Sequence, residues 1–504
     1  MYKFGLLFII AMLFMVSCGD DEPETGKIFT VTVSEGTGSG TLYDAIRNAN
    51  METEPCKIVF DKVYSITLKE DLPEISCSVT IDGGKDGVTI DAEGKRRIFL
   101  ISLYEIPPEV SLANLTLTGG YSDADGGAIS YVSRYRVFPI LSLNNCTFKN
   151  NKAKNGGGAI FSESPTYIDN CCFMNNESSW GGAIAGRYMD LHIKNSLFES
   201  NKASNAGAIS LSSDSGAYIS DCVFSNNEAA YNDDYGNNIG RGGAITAVNA
   251  LYIFNSLFLK NRTNGRGGAI TLFLGNQFIC MNSTFVENSA DGRGGAIYTG
   301  EDYIPRPTGA HSLFFAYCTF FGNKSGGMGG AIFGAGPCYF VNNIFTGNKV
   351  SDESTDYYHN ILTGNQTTPE TTSDFFAGYL HMAYNIYDKF YCDVNNKYSP
   401  DFYVTGNVQA TAFDVFGTDQ PQLKDNIIPV LPNGPADGLG RPTGIVLGIG
   451  YPYDSFSYKD NGKWWRLQDG SEYSRTPNDT LIVTDQTGFQ RPENNITIGA
   501  WQIR

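Results

Sequence analysis

Apolar residues in this chain fall at every second position in short bursts, and turn-forming residues cut the bursts apart. In the stretch 251–270, LYIFNSLFLKNRTNGRGGAI, Leu251 and Ile253 alternate with Tyr252, the spacing of a strand with one apolar face. Asn255 interrupts the alternation, and Ser256 and Phe258 resume it on the same side. Asn261 marks a second turn and Gly267-Gly268 a third, before Ala269-Ile270 opens another strand. Three short strands and three turns are therefore expected in each unit. The spacing of three and four that a helical repeat requires is absent.

The unit recurs along the chain. GGAI stands at Gly126–Ile129, Gly157–Ile160, Gly181–Ile184, Gly242–Ile245, Gly267–Ile270, Gly294–Ile297 and Gly329–Ile332, with Ala206–Ile209 reading AGAI. Phe-x-x-Asn starts at Phe148, Phe173, Phe198, Phe224, Phe258, Phe285, Phe320 and Phe345. Successive Phe are 25, 25, 26, 34, 27, 35 and 25 residues apart, a base period with insertions. Coils stacked at strand spacing, ~4.8 Å, would pile equivalent side chains into columns. Each Phe would rest on the last, and the Asn three places on (Asn151, Asn176, Asn201, Asn227, Asn261, Asn288, Asn323, Asn348) would stack amide on amide. Gly pairs supply the positive φ or close approach of a sharp corner. The expected fold is all-β: a parallel β-helix of three-strand coils with a period near 25 residues.

Phe-x-x-Asn paired with GGAI resembles the repeat of the polymorphic outer-membrane proteins, within the right-handed parallel β-helix superfamily of pectate-lyase-like proteins. The likeness runs from Gly126 to Asn348. Gly38–Asn50 (GSGTLYDAIRNAN) resembles the N-terminal cap of such helices, with Leu42, Ala45, Ile46 and Ala49 as the apolar stripe of a short helix. Near the C-terminus, Arg491-Pro492 followed by Ile498-Gly499-Ala500-Trp501 is similar to the motif that ends many bacterial surface β-helix proteins. The expected organisation is a cap over 27–55, a β-helix over 56–350, irregular final coils over 351–430 and a capping segment over 431–504. A fused barrel of the kind the polymorphic proteins carry is not expected within this sequence.

Residues 1–17 read as a targeting segment, with Lys3 ahead of the apolar run Phe4–Val16. Met15-Val16-Ser17-Cys18 resembles the lipobox of bacterial lipoproteins, which implies an acylated Cys18 as lipid anchor. The acidic run that follows, within 18–26, reads as a solvated tether and resembles the signal that sends some lipoproteins to the outer face of the outer membrane. The formal charge is −17, an acidity that disfavours nucleic acid and anionic lipid as partners. With 41% apolar residues, the chain is not disordered in composition. Four of the 11 Cys (Cys146, Cys171, Cys222, Cys318) fall two places before a repeat Phe, where other units carry Ser or Asn. A small-residue slot holding free, buried thiols is expected, with Cys146 and Cys171 near enough on adjacent coils for a disulfide in an oxidising compartment.

Candidate chemistry is sparse. Asp123 and Asp125, just before the first GGAI, read as turn caps. Asp233 and Asp234 lie in the insertion Ala229–Arg241, whose oxygens are of the kind Ca2+ takes but lack EF-hand spacing. No cofactor is otherwise expected. Four scattered His give no HExxH or zinc spacing. The feature that stands out is Arg241, Arg266 and Arg293, each immediately before a Gly-Gly. Stacked coils would hold these like charges together, a repulsion that an anionic sugar chain could neutralise. Pairing with Glu287 and Asp291 is the structural alternative. The functional expectation is a surface lipoprotein binding a polysaccharide or a host or cell-surface ligand without catalysis. Two alternatives stand beside it: a polysaccharide lyase or glycoside hydrolase working in the same groove, and a plain spacer.

Overall fold

A computed structural model describes residues 26–351 except 103–107, 133–138, 213–214, 233–238, 274–276, 301–311 and 335–337. Beyond these it describes 361–363, 380–383, 385–387, 402–405, 408–424, 428–431, 435–436 and five strands within 445–482. Cys18, Asp233 and Asp234 lie outside the described residues.

The chain winds into a parallel β-solenoid with four sheets running along its length. Sheet I has 14 strands, from Ile28–Val31 to Phe402–Thr405; sheet II has 13, from Ser65–Thr67 to Val408–Gln409. Sheet III has nine, from Tyr121–Ser122 to Lys349–Val350; sheet IV has ten, from Phe99–Ser102 to Ile361–Thr363. One coil visits them in turn: Leu251–Phe254, Leu257–Leu259, Arg262–Thr263, Ile270–Leu272. Sheet III is the strand beyond the three expected. At two to four residues its strands are too short to show alternation, so the sequence pattern passes over them. Strands continue in register past Lys349 to Gln409 although the motif has faded, while 445–482 holds a five-stranded antiparallel sheet.

The interior is a set of columns. Phe148, Phe173, Phe198, Phe224, Phe258, Phe285, Phe320 and Phe345 are in register on sheet II, with ring centroids 4.7–4.8 Å apart and planes within 8°. Facing them, the Ile of every GGAI forms a column on sheet IV, buried throughout. Sheet I contributes Ile168, Ile193, Ile219 and Ile253.

At the corner between sheets II and III, each buried Asn amide donates to the next: Asn176 Nδ2 to Asn201 Oδ1 at 3.0 Å, and Asn201 Nδ2 to Asn227 Oδ1 at 2.9 Å. The residue before each is left-handed, for example Asn150, Asn175 and Asn226. The slot two places before Phe does more than stay small. Its side chain accepts the backbone N–H of the preceding coil, as Ser196 Oγ does from Cys171 N and Ser256 Oγ from Cys222 N. Cys146, Cys171, Cys222 and Cys318 are free and buried, and burial pushes the Cys222 thiol up to about 12.

Helix α1 (Leu42–Ala49) buries Leu42, Ala45, Ile46 and Ala49 and packs on the first two strands of sheet I, with Thr41 as N-cap. A second helix, α2 (Ala412–Phe416), folds back on the outer face of sheet II, where Phe416 meets Phe321 edge to face at 5.7 Å.

Candidate functional site

The third corner, between sheets III and IV, is where the glycine pair sits. The first glycine has positive φ in every coil: Gly126, Gly157, Gly181, Gly242, Gly267, Gly294 and Gly329, with Ala206 in the same conformation at φ 59°. Ahead of it, Arg241, Arg266 and Arg293 are partly exposed. Arg241 and Arg266 form a parallel bridge there, Gly242 N donates to Arg266 O at 3.0 Å, and Gly267 N donates to Arg293 O at 3.0 Å. The structure therefore brings Arg241, Arg266 and Arg293 into one row on consecutive coils.

Each guanidinium of the row lies over an aromatic ring. Arg241 is 5.2 Å from the Phe273 centroid, Arg266 5.2 Å from Tyr298, and Arg293 5.1 Å from Phe333. Arg266 Nη1 also donates to Tyr298 Oη at 3.1 Å. Tyr298 and Phe333 are themselves stacked at 5.3 Å. Rings of this kind hold a guanidinium plane without neutralising it. Burial, and then the charge of Arg266, lower the pKa of Arg241, which stays protonated at any ordinary pH. The acids expected as partners go elsewhere: Glu287 pairs with Lys260 at 3.4 Å and Asp291 with Arg262 at 3.3 Å. The row is thus half-buried and held in place by rings.

The aromatic supports were missed from sequence, although a signal was there. Tyr298 and Phe333 directly follow the Ile of GGAI, the first outward position of sheet IV. Phe161 holds the same position on an earlier coil of sheet IV and carries Arg187 at 5.4 Å. Another row, six residues before the repeat Phe, also went unread: Tyr167, His192 and Tyr218 on the outer face of sheet I. Tyr167 and His192 stack at 4.7 Å with planes 7° apart, so each covers one ring face of the other, while Tyr167 has only Ser142 on its other side.

The acids near the first GGAI, expected as turn caps, instead reach the next coil. Asp123 pairs with Lys154 at 2.5 Å and accepts from Tyr121 Oη, and those two contacts hold its carboxyl below the usual range. Asp125 accepts from Gly156 N at 2.9 Å. Among the described residues, no three His, Cys, Asp or Glu side chains gather as a metal site, and no helix is long and apolar enough to cross a membrane.

Three stretches of the chain, residues 145–163, 282–300 and 317–335, match the Chlamydia polymorphic membrane protein repeat. Each begins at the left-handed corner residue that closes a sheet I strand (Asn145, Asn282, Tyr317) and runs through Phe, Asn and GGAI. The coils resemble those repeats. No curated protein matches the chain. Among solved structures, a PL6 family alginate lyase, AlyGC, shares 13% identity at a TM-score of 0.45 over 81% of this chain. The chain spans 55% of that enzyme's length. XylC in complex with xylose shares 11% over 88% of this chain and 67% of its own, at TM-score 0.32. Jun a 1, the major allergen of cedar pollen, shares 12% over 81% and 85%, at TM-score 0.19.

Proposed function

We propose that this chain is a surface β-solenoid, held at the outer membrane through acylated Cys18, that binds an anionic polysaccharide along its side as an adhesin. The Arg row is the observation that carries the proposal. Three guanidiniums in one line, each braced on a ring, offer forks at a spacing a polymer can follow. In a chain of net charge −17, such a row is a local exception and favours an anion held close over one drawn from afar. A solenoid side is long enough to engage several units of a polymer at once.

A glycan array probed with the full chain tests this directly. Binding should be confined to acidic glycans, weaken with salt, and fall at least tenfold (about 1.4 kcal/mol) in the Arg241→Gln, Arg266→Gln, Arg293→Gln triple variant. Hits are then incubated with the protein and searched for shortened or unsaturated products. Release of such products would overturn the adhesin reading in favour of a lyase or hydrolase. For the anchor, a Cys18→Ser chain should leave the membrane fraction; retention there would sink the lipoprotein assignment.

A further inference from the structure

Sheet III shows solvent one residue per coil directly after the buried Asn: Lys152, Glu177, Lys202, Glu228, Arg262, Ser289, Lys324 and Lys349, all in register. The first five alternate in sign. Lys152 reaches Glu177 at 2.6 Å and Lys202 reaches Glu228 at 3.6 Å. Arg262 turns to Asp291. After Ser289 the alternation stops, and the last two rungs are both lysine. Adjacent like charges at strand spacing oppose the fold that the earlier rungs assist.

Those two lysines also line a half-open cleft of about 690 Å3, within the range of small-ligand sites. Its other wall is the segment after sheet II, with Thr411, Asp419, Gln420 and Gln422. Phe416 against Phe321 anchors that wall. Of the two acids at the cleft, Glu287 is already engaged by Lys260, leaving Asp419 against two cations. The amides of Gln420 and Gln422 add groups able to meet hydroxyls. The rungs of Lys324 and Lys349 belong to the two coils directly after that of Arg293, with the cleft at the sheet II edge of sheet III and the Arg row at its sheet IV edge.

We propose that this cleft is an anion subsite taking one acidic sugar unit, carboxylated or sulfated, an assignment that rests on the anionic-polymer reading above. Lys324 and Lys349 would hold the acid group and the two Gln its hydroxyls.

Lysine footprinting on the full chain tests it without relying on variants that must fold. The protein is acetylated in limiting reagent with an oligogalacturonate, a chondroitin sulfate oligosaccharide or inorganic sulfate, and each lysine is followed by mass spectrometry. Protection of Lys324 and Lys349 at least fivefold beyond Lys152 and Lys202 by one oligosaccharide is expected, and which of the two protects tells carboxylate from sulfate. Equal protection by inorganic sulfate means a small-anion site only and overturns the sugar assignment, as does uniform or absent protection. The Lys324→Gln, Lys349→Gln variant should bind the protecting oligosaccharide at least fivefold more weakly, with a melting temperature equal to or above that of the parent chain, since the two like charges oppose the fold. If the Arg triple variant keeps its affinity while the lysines are still protected, the Arg-row reading fails and the cleft stands. If affinity falls in the Arg variant alone, the cleft fails and the row stands.

Discussion

A single asparagine in the II–III corner serves three coils. Asn201 donates through Nδ2 to Phe173 O on the coil before and to Asn227 Oδ1 on the coil after, while its own Oδ1 accepts both Asn176 N and Asn176 Nδ2. It is fully buried, so removing the amide strands partners that water cannot reach. Asn201→Leu is expected to cost about 3 kcal/mol or more, at roughly 1–3 for each orphaned group, read as a lowered urea midpoint. Both glycines of GGAI are tightly enclosed, but only the first is ever replaced, by Ala206. The first has a left-handed backbone, and a Cβ on Gly267 would also lie 2.2 Å from Ile270 O, yet Ala206 fills the equivalent place in its own coil, so a local shift admits it and Gly267→Ala should cost about 1–2 kcal/mol. The second is a steric requirement: a Cβ on Gly268 would lie 2.0 Å from Gly295 O and 2.6 Å from Ser289 N. Gly268→Ala should therefore destabilise markedly more than Gly267→Ala in the same melting experiment, and equal effects would refute the distinction. Both columns were legible in the sequence because each residue recurs at a fixed offset. The Arg supports were not, because Phe273 and Tyr298 reach their Arg from different offsets in the coil.

Among the elements, legibility followed length and repetition. Helix α1 was readable from its stripe, and the sheet I, II and IV strands from alternation or from GGAI. Sheet III was not, since a two-residue strand such as Arg262–Thr263 carries no period of its own and pairs only because the columns on either side fix its register. Helix α2 escaped for the same reason, being five residues long. Its capping box can be tested by pH. Thr411 hydroxyl and backbone N–H both bind Asp414, and they hold its carboxyl below the ordinary value. A depressed folded pKa means that the contribution is present above the unfolded value, near 3.9, and disappears as pH falls through the lower folded one. Amide exchange at α2 should stay constant from neutral pH down to about 4, after correction for intrinsic rates, and rise only below. Loosening already at pH 6 would show that another group governs the helix.

At the scale of the molecule, stability is a chain of nearest-neighbour terms, since each coil touches only those beside it. The ends are then the exposed points, because a terminal parallel strand offers unpaired N–H and C=O groups to any other strand. Helix α1 lies against the first coil with Ile46 buried at its centre. Ile46→Asp should loosen that contact and promote end-to-end association, seen as concentration-dependent growth in sedimentation velocity. A monomeric variant with an unaltered melting curve would show that α1 plays no such part. The Arg row and the lysine cleft also belong to this scale, since neither exists within one repeat and both emerge only when coils are stacked.

Where the repeats differ in length, the extra residues are not spread evenly. The 34-residue spacing comes from 229–241, between sheets III and IV, and the 35-residue spacing from 300–311, between sheets IV and I. From the sheet I strand through Phe to the buried Asn, the stacked coils from Phe148 to Phe345 keep one count. The scaffold thus separates what must be conserved from what is free to vary. A lineage carrying this chain can lengthen, shorten or exchange the outer loops one at a time, as a keyboard accepts new keys, and so meet a changing partner without retuning the frame.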